Sequence, residues 1–130
     1  MSEEIVITGS ARTPMGGFQG ALSDATAVQL GAAAIAAALT RSGLQGDAID
    51  ELLMGCVLPA GLGQAPARQA ALGAGLPLSV GCTTINKMCG SGMKAIMLAA
   101  AEIRAGDAEV VVAGGMESMS GGPHLLPKAR

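Results

Sequence analysis

Ser91-Gly92-Met93-Lys94-Ala95-Ile96-Met97-Leu98-Ala99-Ala100-Ala101-Glu102-Ile103-Arg104 is the stretch on which the fold turns. Met93, Ile96, Met97, Ala100 and Ile103 recur at helical spacing and make one apolar face. Ala95, Leu98, Ala99 and Ala101 leave little polar surface on the opposite side. A helix that is apolar nearly all round is buried nearly all round, so this one calls for a layer on each side. Gly106 ends it.

On either side of this helix lie short β-rich runs. Cys82 to Asn86 precedes it as a strand, and Glu109 to Ala113 follows it. Further upstream, Glu51 to Val57 reads as another strand, followed by a Gly/Pro-rich loop, Pro59 to Pro66, and a short helix from about Ala67 to Ala74. Ser23 or Asp24 is placed to cap a first helix running to Ser42, with Val28, Ala32, Ile35 and Leu39 on one face. Glu4 to Thr8 reads as a strand that opens the chain, and Arg12 to Gly20 as a loop. Alternating strands and helices make an α/β domain.

Composition narrows the function. Half of the 130 residues are apolar and 14% are charged, which favours a packed core over disorder. With one Phe and no Trp or Tyr, that core is built from Ala, Val, Ile, Leu and Met, whose bulk lets layers approach closely. The net charge of −2 and the lack of any basic run argue against nucleic-acid binding. Gly31 to Leu39 is the most apolar stretch and is far shorter than the roughly 20 residues of a membrane span. The acidic start, Ser2-Glu3-Glu4, differs from a targeting signal, and the reading is a cytoplasmic protein. Three cysteines, Cys56, Cys82 and Cys89, are an odd number and point to free thiols in a reducing compartment. No Cys-x-x-Cys occurs and His124 is the single histidine, so no zinc ligand set is expected.

Cys89 is the candidate nucleophile. Asn86-Lys87-Met88-Cys89-Gly90-Ser91-Gly92 joins a strand to the apolar helix, so Cys89 stands at or just before a helix N-terminus. Unpaired N–H groups and the positive end of the helix dipole favour a thiolate there. Gly90 and Gly92 remove bulk beside the sulfur, and the Cys89 N–H is suited to donate to an oxyanion. On position alone, the competing reading is a small buried hydrophobe, as free cysteines often are. Cys56 and Cys82 are read as packing residues. His124 sits in a loop and is not taken as the base. Arg12 and Arg68 are read as ties from a guanidinium to loop carbonyls or carboxylates, Glu117 as a buried structural carboxylate, and Lys87 and Lys94 as flanking surface or snorkelling residues. Gly61-x-Gly63 and Gly114-Gly115 are not dinucleotide fingerprints, and no P-loop pattern occurs.

The string from Ile85 through Cys89 to Ile96 resembles the acyl-enzyme signature of thiolases. Three further segments agree, in family order: Ala11-Arg12-Thr13-Pro14 with Gly16 and Phe18; Gly61-Leu62-Gly63-Gln64-Ala65-Pro66-Ala67-Arg68-Gln69; and Val112-Ala113-Gly114-Gly115-Met116-Glu117-Ser118-Met119-Ser120. The likeness is to the acetyl-CoA acetyltransferase branch, N-terminal half only. It implies a layered αβαβα fold of two similar halves, with a mixed sheet and a buried helix carrying the nucleophile. Residues 1–118 are then the catalytic half-domain and 119–130 the start of the loop domain. It further implies acyl transfer through Cys89, with a coenzyme A thioester as substrate and no resident cofactor or metal. The family's second half supplies the activating His, an Asn loop, a second Cys and a Gly oxyanion donor, positions outside these 130 residues. The implied partners are that second half and a further copy, as homodimer or tetramer with the Cys82–Asn86 strand near the dimer interface. Two alternatives stay open: a β-ketoacyl synthase-like condensing enzyme, and a catalytically silent half acting as an assembly module. The chain alone is expected to be inactive.

Overall fold

A computed structural model describes residues 4–129, so Met1 to Glu3 and Arg130, at the ends of the two expected domains, lie outside the described residues. Three α-helices and three strands, with a short 3-10 helix at Gly46–Ala48 between the first two elements, follow in the order α1 (Ala27–Ser42), β1 (Glu51–Gly55), α2 (Pro66–Gly73), β2 (Gly81–Ile85), α3 (Ser91–Ala105) and β3 (Val111–Gly115). The strands form one sheet in the order β2-β1-β3, with Leu52 opposite Cys82 on one side and Val112 on the other.

Both strand pairings are parallel, which corrects the expected mixed sheet among the described residues. The reason is connectivity. Each strand is joined to the next through a helix, and a helical crossover returns the chain in the same direction. The α2 crossover steps from β1 out to β2, whereas the α3 crossover steps back past β1 to β3. Crossovers of one hand running in opposite directions put their helices on opposite faces. Alternation along the central strand records this: Leu52 and Met54 pack with Ile35, Ala67 and Ala70 from α1 and α2, and Leu53 packs with Ala95 and Ala99 of α3.

The helix ends are set locally. Thr26 caps α1 in a reciprocal capping box with Gln29, its hydroxyl accepting from the Gln29 N–H at 3.1 Å while the Gln29 amide oxygen accepts from the Thr26 N–H at 2.9 Å. Helix α1 therefore starts later than a cap at Ser23 or Asp24 implies; those residues lie in a run of turns in which the Ser23 N–H goes to the Gly20 carbonyl. Pro66 opens α2 at a position where a missing N–H costs nothing. Left-handed glycines at Gly43 and Gly106 close α1 and α3.

The expected Glu4–Thr8 strand does not form among the described residues. This segment joins no sheet, and Val6 and Ile7 are 65% and 78% exposed. It leads past the C-terminal end of α1, where Gly9 lies against Ala38 and Ser42 and Arg41 Nη1 donates to the Ser10 carbonyl at 2.8 Å. A β-prone run with no ladder partner has nothing to hold it as a strand. The last strand is also displaced from Glu109–Ala113 to Val111–Gly115. Its approach is claimed by Asp50, whose carboxylate accepts from the Glu109 and Val110 N–H groups at 2.8 and 3.0 Å. Those two bonds hold the Asp50 carboxyl below its ordinary range.

Helix α3 has one covered face. Ser91, Ala95 and Ala99 are buried against the sheet, whereas Met93, Ile96 and Met97 are 72%, 48% and 59% exposed. The expected second layer is not supplied by residues 4–129. Large apolar side chains clustered on one exposed helix face drive association. The 130-residue chain should therefore scatter light as a species larger than monomer and bind an apolar-surface dye, and Met93→Lys with Met97→Glu should reduce both. A dye-silent monomer would contradict the open-face description.

Candidate active site

The C-terminal ends of β1, β2 and β3 meet the N-terminus of α3, and Cys89 lies there. Parallel strands carry their exits to one edge of the sheet, which is where α/β folds place their sites. Cys89 is exposed, one residue before the Gly90 N-cap of α3. It lines a depression of about 270 Å³ together with Val57, Gly92, Gly115 and Glu117. A helix start beside the sulfur places it at the positive end of the dipole.

The turn that presents Cys89 is held from both sides. Met88 adopts the left-handed conformation, φ 49°, which costs a non-glycine residue about 1 kcal/mol or more. Asn86 Oδ1 accepts from the Met88 N–H at 3.0 Å, and the Ser91 hydroxyl donates to the Met88 carbonyl at 2.6 Å. The same Ser91 oxygen accepts from the Lys87 N–H at 2.8 Å. Ser91 is the one buried polar residue among the described residues, and its hydrogen bonds go into this turn. Beneath it the backbones nearly touch: a Cβ on Gly55 would stand 2.6 Å from Ser91 Cβ and 2.8 Å from its carbonyl carbon. Only glycine fits there.

The remaining candidates separate clearly. Cys56 is buried at the end of β1, and its thiol points to Glu117 Oε1 at 3.8 Å. Burial first, then the Glu117 charge and the hydrogen bond to it, push the Cys56 thiol up from its ordinary range. Cys82 is half-buried on β2 and packs toward the α1/α2 side. Glu117 is the expected structural carboxylate, half-buried rather than fully so, accepting from the Val57 and Leu58 N–H groups at 2.8 and 2.9 Å. Arg68 makes the loop tie expected of it, donating to the carbonyls of Val80 and Leu78 at 2.7 and 2.9 Å. Arg12 is exposed beside a separate cavity of about 380 Å³, and the nearby guanidinium tie to a backbone carbonyl comes from Arg41, to Ser10 just before that loop. Lys87 is exposed and Lys94 half-buried. His124 is exposed in the tail and does not line the depression around Cys89. Asn86 and Ser91 are the positions holding the Cys89 turn to which sequence reasoning gave no role. Their signal was spacing, since a polar residue three before and another two after the cysteine bracket the turn.

Fold and site define an α/β domain that presents an exposed thiol where a strand turns into an apolar helix. Residues 5–130 match the family model described as thiolase, N-terminal domain, and the chain belongs to the thiolase family. It is 60% identical over 127 residues to acetyl-CoA acetyltransferase 2 of Arabidopsis thaliana, which covers 98% of this chain and 32% of that protein. It is 57% identical over 127 residues to acetyl-CoA acetyltransferase of Cupriavidus necator, with the same two shares of 98% and 32%. A third relative, the mitochondrial acetyl-CoA acetyltransferase of Xenopus tropicalis, is 57% identical over 125 residues, 96% of this chain and 30% of that protein. The chain spans about a third of the length of these curated relatives.

Thiol chemistry checks the geometry directly. Limiting iodoacetamide at mildly alkaline pH should label Cys89 first and Cys82 more slowly, with Cys56 reacting only after denaturation, read by peptide mass spectrometry. Labelling of Cys56 ahead of Cys89 in the folded chain would contradict the placement of the two thiols.

Proposed function

We propose that the chain is the N-terminal part of an acetyl-CoA C-acetyltransferase in which Cys89 is the nucleophile. The observation that carries this is the exposed thiol on a strained, hydrogen-bonded turn at the start of α3. Relatives that bear the name acetyl-CoA acetyltransferase supply the substrate class, a coenzyme A thioester.

The chemistry follows from the position. The Cys89 thiolate attacks the carbonyl carbon of the acetyl thioester and a tetrahedral oxyanion forms. The Cys89 N–H is one donor to that oxyanion, by likeness to the family. Collapse breaks the carbon–sulfur bond to coenzyme A, whose thiolate leaves and takes a proton, and the acetyl group stays on Cys89. Attack by the enolate of a second acetyl-CoA on the acetyl carbonyl then forms a carbon–carbon bond. It releases acetoacetyl-CoA and frees the Cys89 thiolate. Thiolytic cleavage is the same sequence reversed. The base that activates Cys89 and the group that forms the enolate belong to the remainder of a complete thiolase, the first partner of this chain.

The proposal includes residues 1–118 as the catalytic half-domain, 119–130 as the opening of the loop domain, and a homodimer or tetramer in the complete protein. Three free thiols support a reducing compartment such as the cytoplasm. Relatives named as mitochondrial and as cytosolic both occur, and among the described residues no helix is long and apolar enough to cross a membrane.

Acetyl-CoA incubated with the chain joined to a thiolase C-terminal part should leave acetyl on Cys89, located by peptide mass spectrometry. Cys89→Ser should lower acetoacetyl-CoA cleavage at least about a hundredfold, because an alkoxide forms far less readily than a thiolate near neutral pH. Acetyl on Cys56 or Cys82 with Cys89 unmodified would refute the assignment.

A further inference from the structure

From the hydrogen bonds around the β1 exit we infer that Glu117 is a positioning residue for Cys89, acting through Asn86. The inference rests on the proposed role of Cys89 and adds a residue to it.

Strand β1 ends at Gly55, where its pairing with Ile85 and Gly115 stops, and the next three residues leave the sheet. Beyond Cys56, whose N–H still reaches the Ile85 carbonyl at 2.9 Å, the chain has no strand partner. Glu117, two residues past the end of β3, takes over. Its Oε2 accepts from the Val57 N–H at 2.8 Å and its Oε1 from the Leu58 N–H at 2.9 Å. The Cys56 S–H points to Oε1 across 3.8 Å. One carboxylate thus gathers donors from three consecutive residues, and hydrogen bonds to a charged acceptor are the stronger kind.

The bond to the Leu58 N–H fixes the Val57–Leu58 peptide plane, and the Val57 carbonyl in that plane accepts from Asn86 Nδ2 at 3.4 Å. The other end of the Asn86 amide accepts from the Met88 N–H at 3.0 Å. Asn86 therefore spans from the β1 exit to the left-handed residue next to Cys89, and its long Nδ2 contact is the link most easily lost. A strained turn keeps its conformation only while its surroundings over-determine it. Glu117 and Val57 also line the same depression as Cys89. The relay through the Asn86 amide thus runs from Glu117 to the turn.

The test is residue-resolved amide exchange, read by mass spectrometry with fragmentation, on the chain joined to a thiolase C-terminal part, together with the rate of Cys89 acetylation by acetyl-CoA in the same joined protein. Glu117→Gln replaces one oxygen by an NH₂ that cannot accept, so one of the two backbone N–H groups loses its partner. Exchange at Met88 should rise and Cys89 acetylation should fall, each roughly tenfold, while amides inside α1 keep their protection. Asn86→Ala should do the same, and the double variant should be no worse than Asn86→Ala alone, because both changes break one relay. Faster exchange at Val57 and Leu58 with Met88 and Cys89 unaffected would overturn the inference, as would effects that multiply in the double variant. If Glu117→Gln fails to fold, Asn86→Ala decides: loosened Val57 and Leu58 amides support the relay and unchanged ones overturn it. If acetylation of the unaltered chain falls elsewhere than Cys89, the proposed function fails, and the Met88 exchange still decides the relay.

Discussion

The contact between the first turn of α3 and the exits of β1 and β3 governs the rest of the structure. Gly55 lies so close to Ser91 that no side chain fits between them, and a Cβ on Gly115 would stand 3.3 Å from Gly92 Cα. With the helix start pressed onto two strand ends, Ser91 becomes buried and its hydroxyl has only the turn before it to bond. Cys89, two residues earlier, is then carried to the exposed rim. Ala95 and Ala99 continue the close approach along α3, so the small side chains of the helix and the position of the thiol have one cause.

The three cysteines show how surroundings divide one side chain into different roles. Cys56 is enclosed and faces a carboxylate, and both effects oppose its thiolate. Cys82 is half-buried on an edge strand with its sulfur near the Val80 carbonyl, at 3.5 Å. Cys89 alone combines exposure with a helix start. The strain at Met88 belongs to the same arrangement, since a left-handed residue reverses the chain sharply enough to lift the next side chain clear of the sheet.

Much of this was legible in the sequence because it rests on local signals. The two-sided apolar helix ended where Gly106 said it would, and its unpaired face is visible as exposed Met93, Ile96 and Met97. The Cys89 turn was legible from a strand run meeting a helix across Gly90 and Gly92. The Thr26–Gln29 capping box is equally local, but Ser23 and Asp24 compete with it as caps in the sequence and engage in turns in the structure. What the sequence hid is non-local. Glu4–Thr8 has strand chemistry, yet pairing depends on a free sheet edge meeting it. The all-parallel order depends on which way each crossover steps, and the partners of Glu117 lie about 60 residues away in the chain.

Whether close packing of α3 on the β1 exit places Cys89 for reaction is tested most directly by Gly55→Ala. The added methyl group must displace Ser91, and with it the hydrogen bonds that hold Met88. The measurement is the rate of acetyl transfer from acetyl-CoA to Cys89 in Gly55→Ala against the unaltered sequence, each joined to a thiolase C-terminal part, at a temperature where circular dichroism shows both folded. Such placement predicts a fall of about tenfold or more in the variant. An unchanged rate in a folded Gly55→Ala chain would contradict it.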